Sequence, residues 1–424
     1  MPVAPVRNPL AADCLTKGTL LPSSTEVESI LRSAPQPLPL RICSGGTTSR
    51  CTDDQHWTLD LSDGHRTLVL NNDHTSVRLG AGLTMGEIQA ELAIHRRMIP
   101  TGLSGLPGAG FLITGGMGPL SRSLGLAIDH IEGIRGIWGN GHRFRITRPG
   151  DALLEHSPEH MEWRGLLGAA LFLGVVQELD LQTTPLLSVE ILQGCVTPQE
   201  LEALILEAEG FPNGISLQWC WGARLEVMLV ARSDDRLALQ ILRHQREARK
   251  LSQPLYTHLS GIHQLPALGA MSLALTDEAP VHQEVLGLLG PRWSDQSQAM
   301  ITALGVAMAN RPHHRCMIAC QQLGGAVSQQ PCNSSSFIHR QAEWKPWITA
   351  SWLPGDRSGR QASLRWLEQV RDCLHPLCPG VHLAQLHDHL PWHARELEQA
   401  FGSWLPHLRD LKQRLDPNGV LPML

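Results

Sequence analysis

Gly102-Leu103-Ser104-Gly105-Leu106-Pro107-Gly108-Ala109-Gly110 leads, after Phe111-Leu112-Ile113, into Thr114-Gly115-Gly116-Met117-Gly118-Pro119-Leu120-Ser121-Arg122. Glycine loses more backbone entropy on folding than any other residue. A run this rich in it belongs where backbone lies close against something flat or bulky. A tight helix–sheet crossing would use some of these glycines. A large bound cofactor uses more of them, given what stands on either side. Gly105-x-x-Gly108-x-Gly110 has the wrong order for a dinucleotide-binding turn, and no strand–helix–strand unit surrounds it.

Upstream, 39–43 (PLRIC) reads as a short strand that runs straight into Ser44-Gly45-Gly46-Thr47-Thr48-Ser49. Glycine N–H groups and hydroxyl donors after a strand suit a pyrophosphate. The run lacks the Gly-Lys-Ser/Thr ending of a P-loop. Strand patterns recur at 67–70 and 76–79. Thr84…Glu87 forms a capping box for a helix with Met85, Ile88 and Leu92 on one face. Downstream, Gly139-Asn140-Gly141 between 134–138 and 142–146 is a hairpin signal, since both residue types tolerate positive φ. An apolar run, 166–181, closes this half.

Beyond Thr183-Thr184-Pro185 the glycines thin out. Thr197-Pro198-Gln199-Glu200 opens a helix with a capping box and proline at its first position. Strands are expected at 225–230, 317–322, 334–338 and 347–352. Helices are expected at 236–251, 361–373 and 393–415. Trp347 and Trp352 stand at odd spacing, so they face opposite sides of their strand and at most one can line a pocket.

The chain has 424 residues, a formal charge of −5 and 42% apolar content. That supports a sizeable core and argues against a polyanion-binding surface, so nucleic acid is not expected as a partner. No window approaches a membrane span, so no membrane partner is expected either. The start lacks a basic segment followed by an apolar run, and ten scattered cysteines form no disulfide framework, so a reducing cytoplasm is expected.

Five pieces, in chain order, resemble the FAD-binding module of the vanillyl-alcohol oxidase/p-cresol methylhydroxylase superfamily. They are 41–49, 77–88 (VRLGAGLTMGEI), 114–131, 168–176 and, near the end, 411–419 with Asp416-Pro417-Asn418-Gly419. The second half adds Gly324-Gly325-Ala326-Val327, Ser335-Ser336-Phe337-Ile338-His339-Arg340 and Ile348-Thr349-Ala350-Ser351-Trp352. These are similar to the substrate domain of berberine bridge enzyme-like flavoproteins. The resemblance implies an α+β chain with a two-domain, PCMH-type FAD-binding fold. An α+β FAD domain spans 1–185. An antiparallel-sheet substrate domain backed by helices spans 186–395. A segment at 396–424 returns to the first domain.

It also implies an FAD-dependent oxidoreductase that moves a hydride from a small organic substrate to flavin N5. Dioxygen or another carrier then takes the electrons. The implied FAD contacts are Ser44, Gly45, Gly46, Thr47, Thr48 and Ser49 in the first loop. In the second they are Gly102, Leu103, Ser104, Leu106, Gly108, Gly110, Thr114, Gly115, Gly116 and Gly118. Ile134, Val175 and Asn418 complete the set.

The chain departs from that family at telling places. Thr47 stands where many relatives tether FAD through histidine, and Leu103 where some add a cysteine link, so FAD is expected without a covalent bond. Leu106 falls where relatives control oxygen access, and its bulk leans toward dehydrogenase behaviour. Relatives carry tyrosines near the flavin, but 381–386 (VHLAQL) has none, and the lone Tyr256 lies elsewhere. His382 is then the candidate base, since imidazole titrates near neutrality, with His339 a second candidate. Loss of the tyrosines leaves a rival, a flavin-fold protein that binds without turnover. A further rival is a zinc hydrolase built on His313-His314-Arg315-Cys316 and Cys320. That cluster lacks a second ligand pair at the usual spacing, so no metal is expected.

Overall fold

A computed structural model describes residues 3–4, 17–32, 39–48, 51–53, 55–150, 157–249, 251–268 and 281–424. Two sheets and a short two-stranded pair, Arg97–Met98 with Thr184–Pro185, build the first part among the described residues. Thr19–Leu20, Trp57–Asp60 and Leu40–Cys43 lie side by side and parallel, with Val3–Ala4 antiparallel on the outer edge. An antiparallel sheet follows in the order Leu68–Leu70, Ser76–Gly80, Gly174–Gln182, Ile131–Trp138, Arg143–Thr147. The glycine turn between the last two elements of the hairpin closes with Gly141 at φ +82°. Helix Met85–Ile94 starts on its capping box: Thr84 N donates to Glu87 Oε2 at 2.9 Å and Glu87 N returns to Thr84 Oγ1. Its face of Met85, Ile88 and Leu92 is fully buried.

The second part is one eight-stranded antiparallel sheet. Its order is Ser252–Leu259, Val189–Cys195, Leu225–Arg232, Ile215–Trp221, Met317–Gln322, Trp344–Trp352, His282–Leu289, Gly380–Val381. Side chains alternate between its faces. One face, with Leu217, Trp219, Ile318 and Ile348, packs under helices Pro198–Ala208, Ser297–Ala309 and Arg357–Leu374. The other carries Val189, Ile191, Cys220, Met228, Val230, Ala319 and Trp347, and it packs against Met98, Leu103 and Leu120 of the first part.

Buried polar contacts lock the two parts together. Arg122 donates to Glu343 Oε1 at 2.6 Å and to the carbonyls of Leu323 and Phe211. Arg340, wholly buried, meets Asp129 at 2.8 Å. The helix Pro158–Leu173 breaks its helical geometry at Leu167–Ala169, with Gly168 at φ +117°. A Cβ there would come within 2.7 Å of Leu383 and 3.0 Å of Ser336, so this glycine lets two segments of the second part close on the first. The C-terminal helix Leu405–Leu415 packs on Pro158–Leu173. The chain then runs back to the first sheet, where Leu40 N donates to the Val420 carbonyl at 2.8 Å.

Three expected elements differ. Residues 334–338 form no strand; the Ser336 hydroxyl instead donates to the Arg164 carbonyl at 2.8 Å and accepts from Trp404 Nε1. Serine hydroxyls competing for backbone partners explain the loss. The expected helix 393–415 is two helices, His393–Phe401 and Leu405–Leu415, separated at Gly402 with φ +49°. The helix from Arg236 stops at Ala248 rather than Leu251.

Candidate active site

The two glycine loops meet backbone to backbone. A Cβ on Gly45 would stand 2.2 Å from Gly108 N, and a Cβ on Gly108 would stand 2.1 Å from Ser44 Oγ. No other residue fits either place. Ser44 Oγ fastens the contact, accepting from Ala109 N at 3.0 Å and donating to the Ala81 carbonyl. The run 114–118 continues from there in backbone that favours glycine, with Gly115 at φ +130° and Gly116 at φ +72°. Gly118 lies so close to Thr101 that a Cβ would overlap its carbonyl oxygen at 1.7 Å. Gly110 faces the opposite situation, since a Cβ there would touch nothing within 4 Å.

The sheet turns a polar strip toward this backbone. Ser216 and Gln218 on one strand, Gln321 on the next and Lys345 on the third share the face that carries Ala319 and Trp347. Ser216 Oγ donates to the Pro119 carbonyl at 2.6 Å, which ties the strip to the second glycine segment. Gly287 stands opposite Trp347, and its missing side chain leaves room for His382 and Gln385 to fold over the strip. A Cβ on Gly287 would lie 2.9 Å from His382 Cβ and 2.0 Å from Gln385 Oε1.

His382 is therefore inside the molecule, not on the solvent side of a strand; it is 8% exposed. Its Nε2 lies 3.8 Å from where a Gly115 Cβ would be, so the candidate base and the glycine segment are neighbours. Neither ring nitrogen has a hydrogen-bond partner, and the same is true of the Gln218, Gln321 and Gln385 side-chain oxygens. Buried polar groups in folded proteins are almost always paired, so these convergent atoms mark a place built for a polar partner. Burial pushes the His382 pKa well below 6.5, and the Lys345 ammonium pushes it further, against a small opposing effect of Gln385. The ring is neutral at physiological pH, with a lone pair free to accept a proton.

Lys345 is the residue that sequence reasoning missed. It is buried, and its ammonium sits over the Trp347 ring at 4.5 Å. Burial lowers its pKa to about 8. The nearby acid, Glu343, is already taken by Arg122 and by Gln322 at 2.9 Å. A lysine at alternate spacing with a tryptophan in an otherwise apolar strand was the signal available.

The remaining sequence candidates are placed as follows. His339 donates from Nε2 to the Gln399 carbonyl at 2.6 Å and packs its ring on Gly380, so it joins helix His393–Phe401 to the sheet. Burial lowers its pKa. Ile134 and Val175 are fully buried within the first part's antiparallel sheet. Leu106 is half exposed, with its carbonyl against Gly45. Ser104 Oγ accepts from Leu106 N, and Leu103 packs against the sheet. Thr114 is buried, its hydroxyl on the Gly110 carbonyl. Gly102 packs against Phe111. Gly46 takes φ +66° between Gly45 and the half-buried Thr47 and Thr48. Asn418 is exposed on the turn 416–419, and Ser49 lies outside the described residues. Cys316 and Cys320 are both buried in the core under the helices, and only Cys320 lies within its strand.

These residues fit an FAD. Two loops of bare backbone meet at Gly45 and Gly108, open space borders Gly110, and unpaired polar atoms converge on the face opposite Gly115. A flavin has a pyrophosphate and a broad ring that such bare backbone would hold, and the polar atoms opposite Gly115 are then left to face a substrate.

Comparisons with known proteins agree. Residues 18–147 match a protein family described as an FAD binding domain. A protein of Dictyostelium discoideum named FAD-linked oxidoreductase is 24% identical over 391 residues, which is 90% of this chain and 81% of that protein. Among solved structures, a chitooligosaccharide oxidase superposes with a TM-score of 0.81 at 17% identity, covering 99% of this chain and 95% of that one. A BBE-like protein of Arabidopsis thaliana gives 0.81 at 16% identity with the same coverage. The chain thus has their fold along nearly its whole length.

Proposed function

We propose that this chain, with an FAD-binding domain at 18–147 and the fold of the BBE-like flavoproteins, is an FAD-dependent oxidoreductase acting on a small organic substrate. One observation carries the reading: a buried, neutral, unpartnered His382 lies against the glycine backbone at Gly115. When bound, FAD supplies a hydride acceptor. The rest is done by the chain. Gly115 and Gly116 let backbone approach without side chains in the way. Trp347 walls the strip. His382 accepts the proton from a substrate O–H or N–H while the adjacent C–H leaves with its electron pair. Burial and Lys345 both disfavour the imidazolium, so His382 releases the proton readily after each turnover.

Thr47 and Leu103 support a cofactor held without a covalent bond. The scatter of the ten cysteines along the sequence supports a reducing, cytoplasmic setting. Among the described residues no helix is long and apolar enough to cross a membrane. Dioxygen or another carrier completes the cycle.

The test is anaerobic bleaching of the bound flavin by a panel of alcohols, amines and sugars. Wild type is expected to bleach with at least one of them. The His382→Asn protein is expected to hold as much flavin and bleach far more slowly. Equal rates in both proteins would remove His382 from the chemistry.

A further inference from the structure

The proposed oxidoreductase site has a charge imbalance that its own residues do not resolve. Lys345 is the cation of the polar strip, on the face turned toward Gly115–Pro119. No carboxylate among the described residues lies within ion-pair distance of it, and Glu343, two residues away, is bound to Arg122 at 2.6 Å. Burying an unpaired ammonium is costly, and the cation–π contact with Trp347 offsets only part of the lost hydration. Beside it, the side-chain oxygens of Gln218 and Gln321 are buried without partners, and both are acceptors. Opposite strand positions place Gln218 next to Gln321 and Gln321 next to Lys345. The strip therefore presents one cation followed by two acceptors that need O–H or N–H donors.

We propose that this site selects a hydroxylated organic acid, with the Lys345 ammonium binding its carboxylate and the Gln218 and Gln321 amide oxygens accepting from its hydroxyl groups. This rests on the oxidoreductase reading and assigns its substrate class. His382, across Gly287 from Trp347, then stands beside the hydroxyl-bearing carbon. A neutral sugar or alcohol would satisfy the amides and leave the ammonium bare.

The test uses α-hydroxyisobutyrate and its amide, which share shape and hydroxyl but have no α C–H to lose. Binding to the FAD-loaded protein is measured by calorimetry at neutral pH. The acid is expected to bind roughly ten- to a hundredfold more tightly than the amide, the worth of one charge-assisted hydrogen bond in a buried site. Lys345→Met should erase that preference while leaving flavin content unchanged, and Lys345→Arg should retain most of it. Equal binding of acid and amide, binding of neither, or a preference that survives in Lys345→Met would each overturn the proposal. Flavin bleaching by neutral alcohols, together with equal binding of the acid and its amide, would overturn the proposal and leave the redox function standing. Failure of FAD to load would sink the redox function itself, and the acid–amide comparison would still read Lys345 in the cofactor-free protein.

Discussion

His382 combines burial, neutrality and ring nitrogens left unpaired, with only the Gln385 side chain facing the ring, which is the set a general base needs. A general base works in its unprotonated form. With its pKa well below 6.5, His382 should hold the rate of flavin reduction level from 6.5 to neutrality and lower it on the acid side, below 6.5. Stopped-flow rates across pH check this; a break between 6.5 and neutrality would assign the base elsewhere, whereas a change near 8 belongs to Lys345 losing its charge. His382→Asn should cost about 10²–10⁴-fold in that rate. Gly45 and Gly108 make a second residue-scale case. Gly45→Ala drives a Cβ into Gly108 N at 2.2 Å, so the loop must shift. We expect a stable protein that retains roughly a tenth or less of the wild-type flavin, since overpacking costs about 1–3 kcal/mol. Flavin absorbance per protein is the readout, and full occupancy would mean the loop is not a cofactor contact.

At the scale of elements, the interface depends on a few buried ion pairs. Asp129→Asn leaves the wholly buried Arg340 guanidinium short of its counter-charge. Removing one partner of such a pair costs about 3–5 kcal/mol, to be read from urea unfolding midpoints. A loss below about 1 kcal/mol would mean that the pair is solvated.

Elements with strong local chemistry were legible in advance. The capping boxes at Thr84 and Thr197, the turn at Gly139–Gly141 and the strand 317–322 need only neighbours in sequence to specify them. The break at Gly402 and the loop at 334–338 were not, because serine–backbone bonds and a glycine turn win there through contacts from Arg164 and Trp404. The candidate site was half legible. Glycine loops announce themselves, and missing tyrosines pointed to His382. Gln218 and Gln321 were silent and Lys345 carried only its spacing from Trp347, because alternation tells which side chains share a face but not which face meets the other half of the chain.

Across the whole molecule, a line of ion pairs joins the root of the first glycine loop to the segment after His382. Arg41 binds Asp53 at 2.7 Å and also Asp388; His389 binds Glu284 at 2.8 Å; His387 binds Glu396 at 2.7 Å and faces Glu284 at 3.4 Å. Burial opposes charge on His387, but Glu396 and Glu284 more than reverse that and raise its pKa from 6.5 to about 10. A raised histidine pKa stabilises the fold fully below 6.5, and that contribution is lost as pH climbs from 6.5 through about 10. Glu284, held low by the two histidines, acts in reverse and loses its contribution as pH falls below 4.5. Thermal unfolding should thus weaken on both sides, and His387→Gln should flatten the alkaline limb. An unchanged alkaline limb in that variant would take His387 out of the balance.

The flavin itself offers the most direct test. We would record the absorbance spectrum of the purified protein, add FAD if needed, and precipitate with acid. We expect flavin bands that leave with the supernatant. Colour retained in the pellet would contradict cofactor binding without a covalent bond at Thr47 and Leu103. A protein that takes up no flavin even from added FAD would contradict the oxidoreductase.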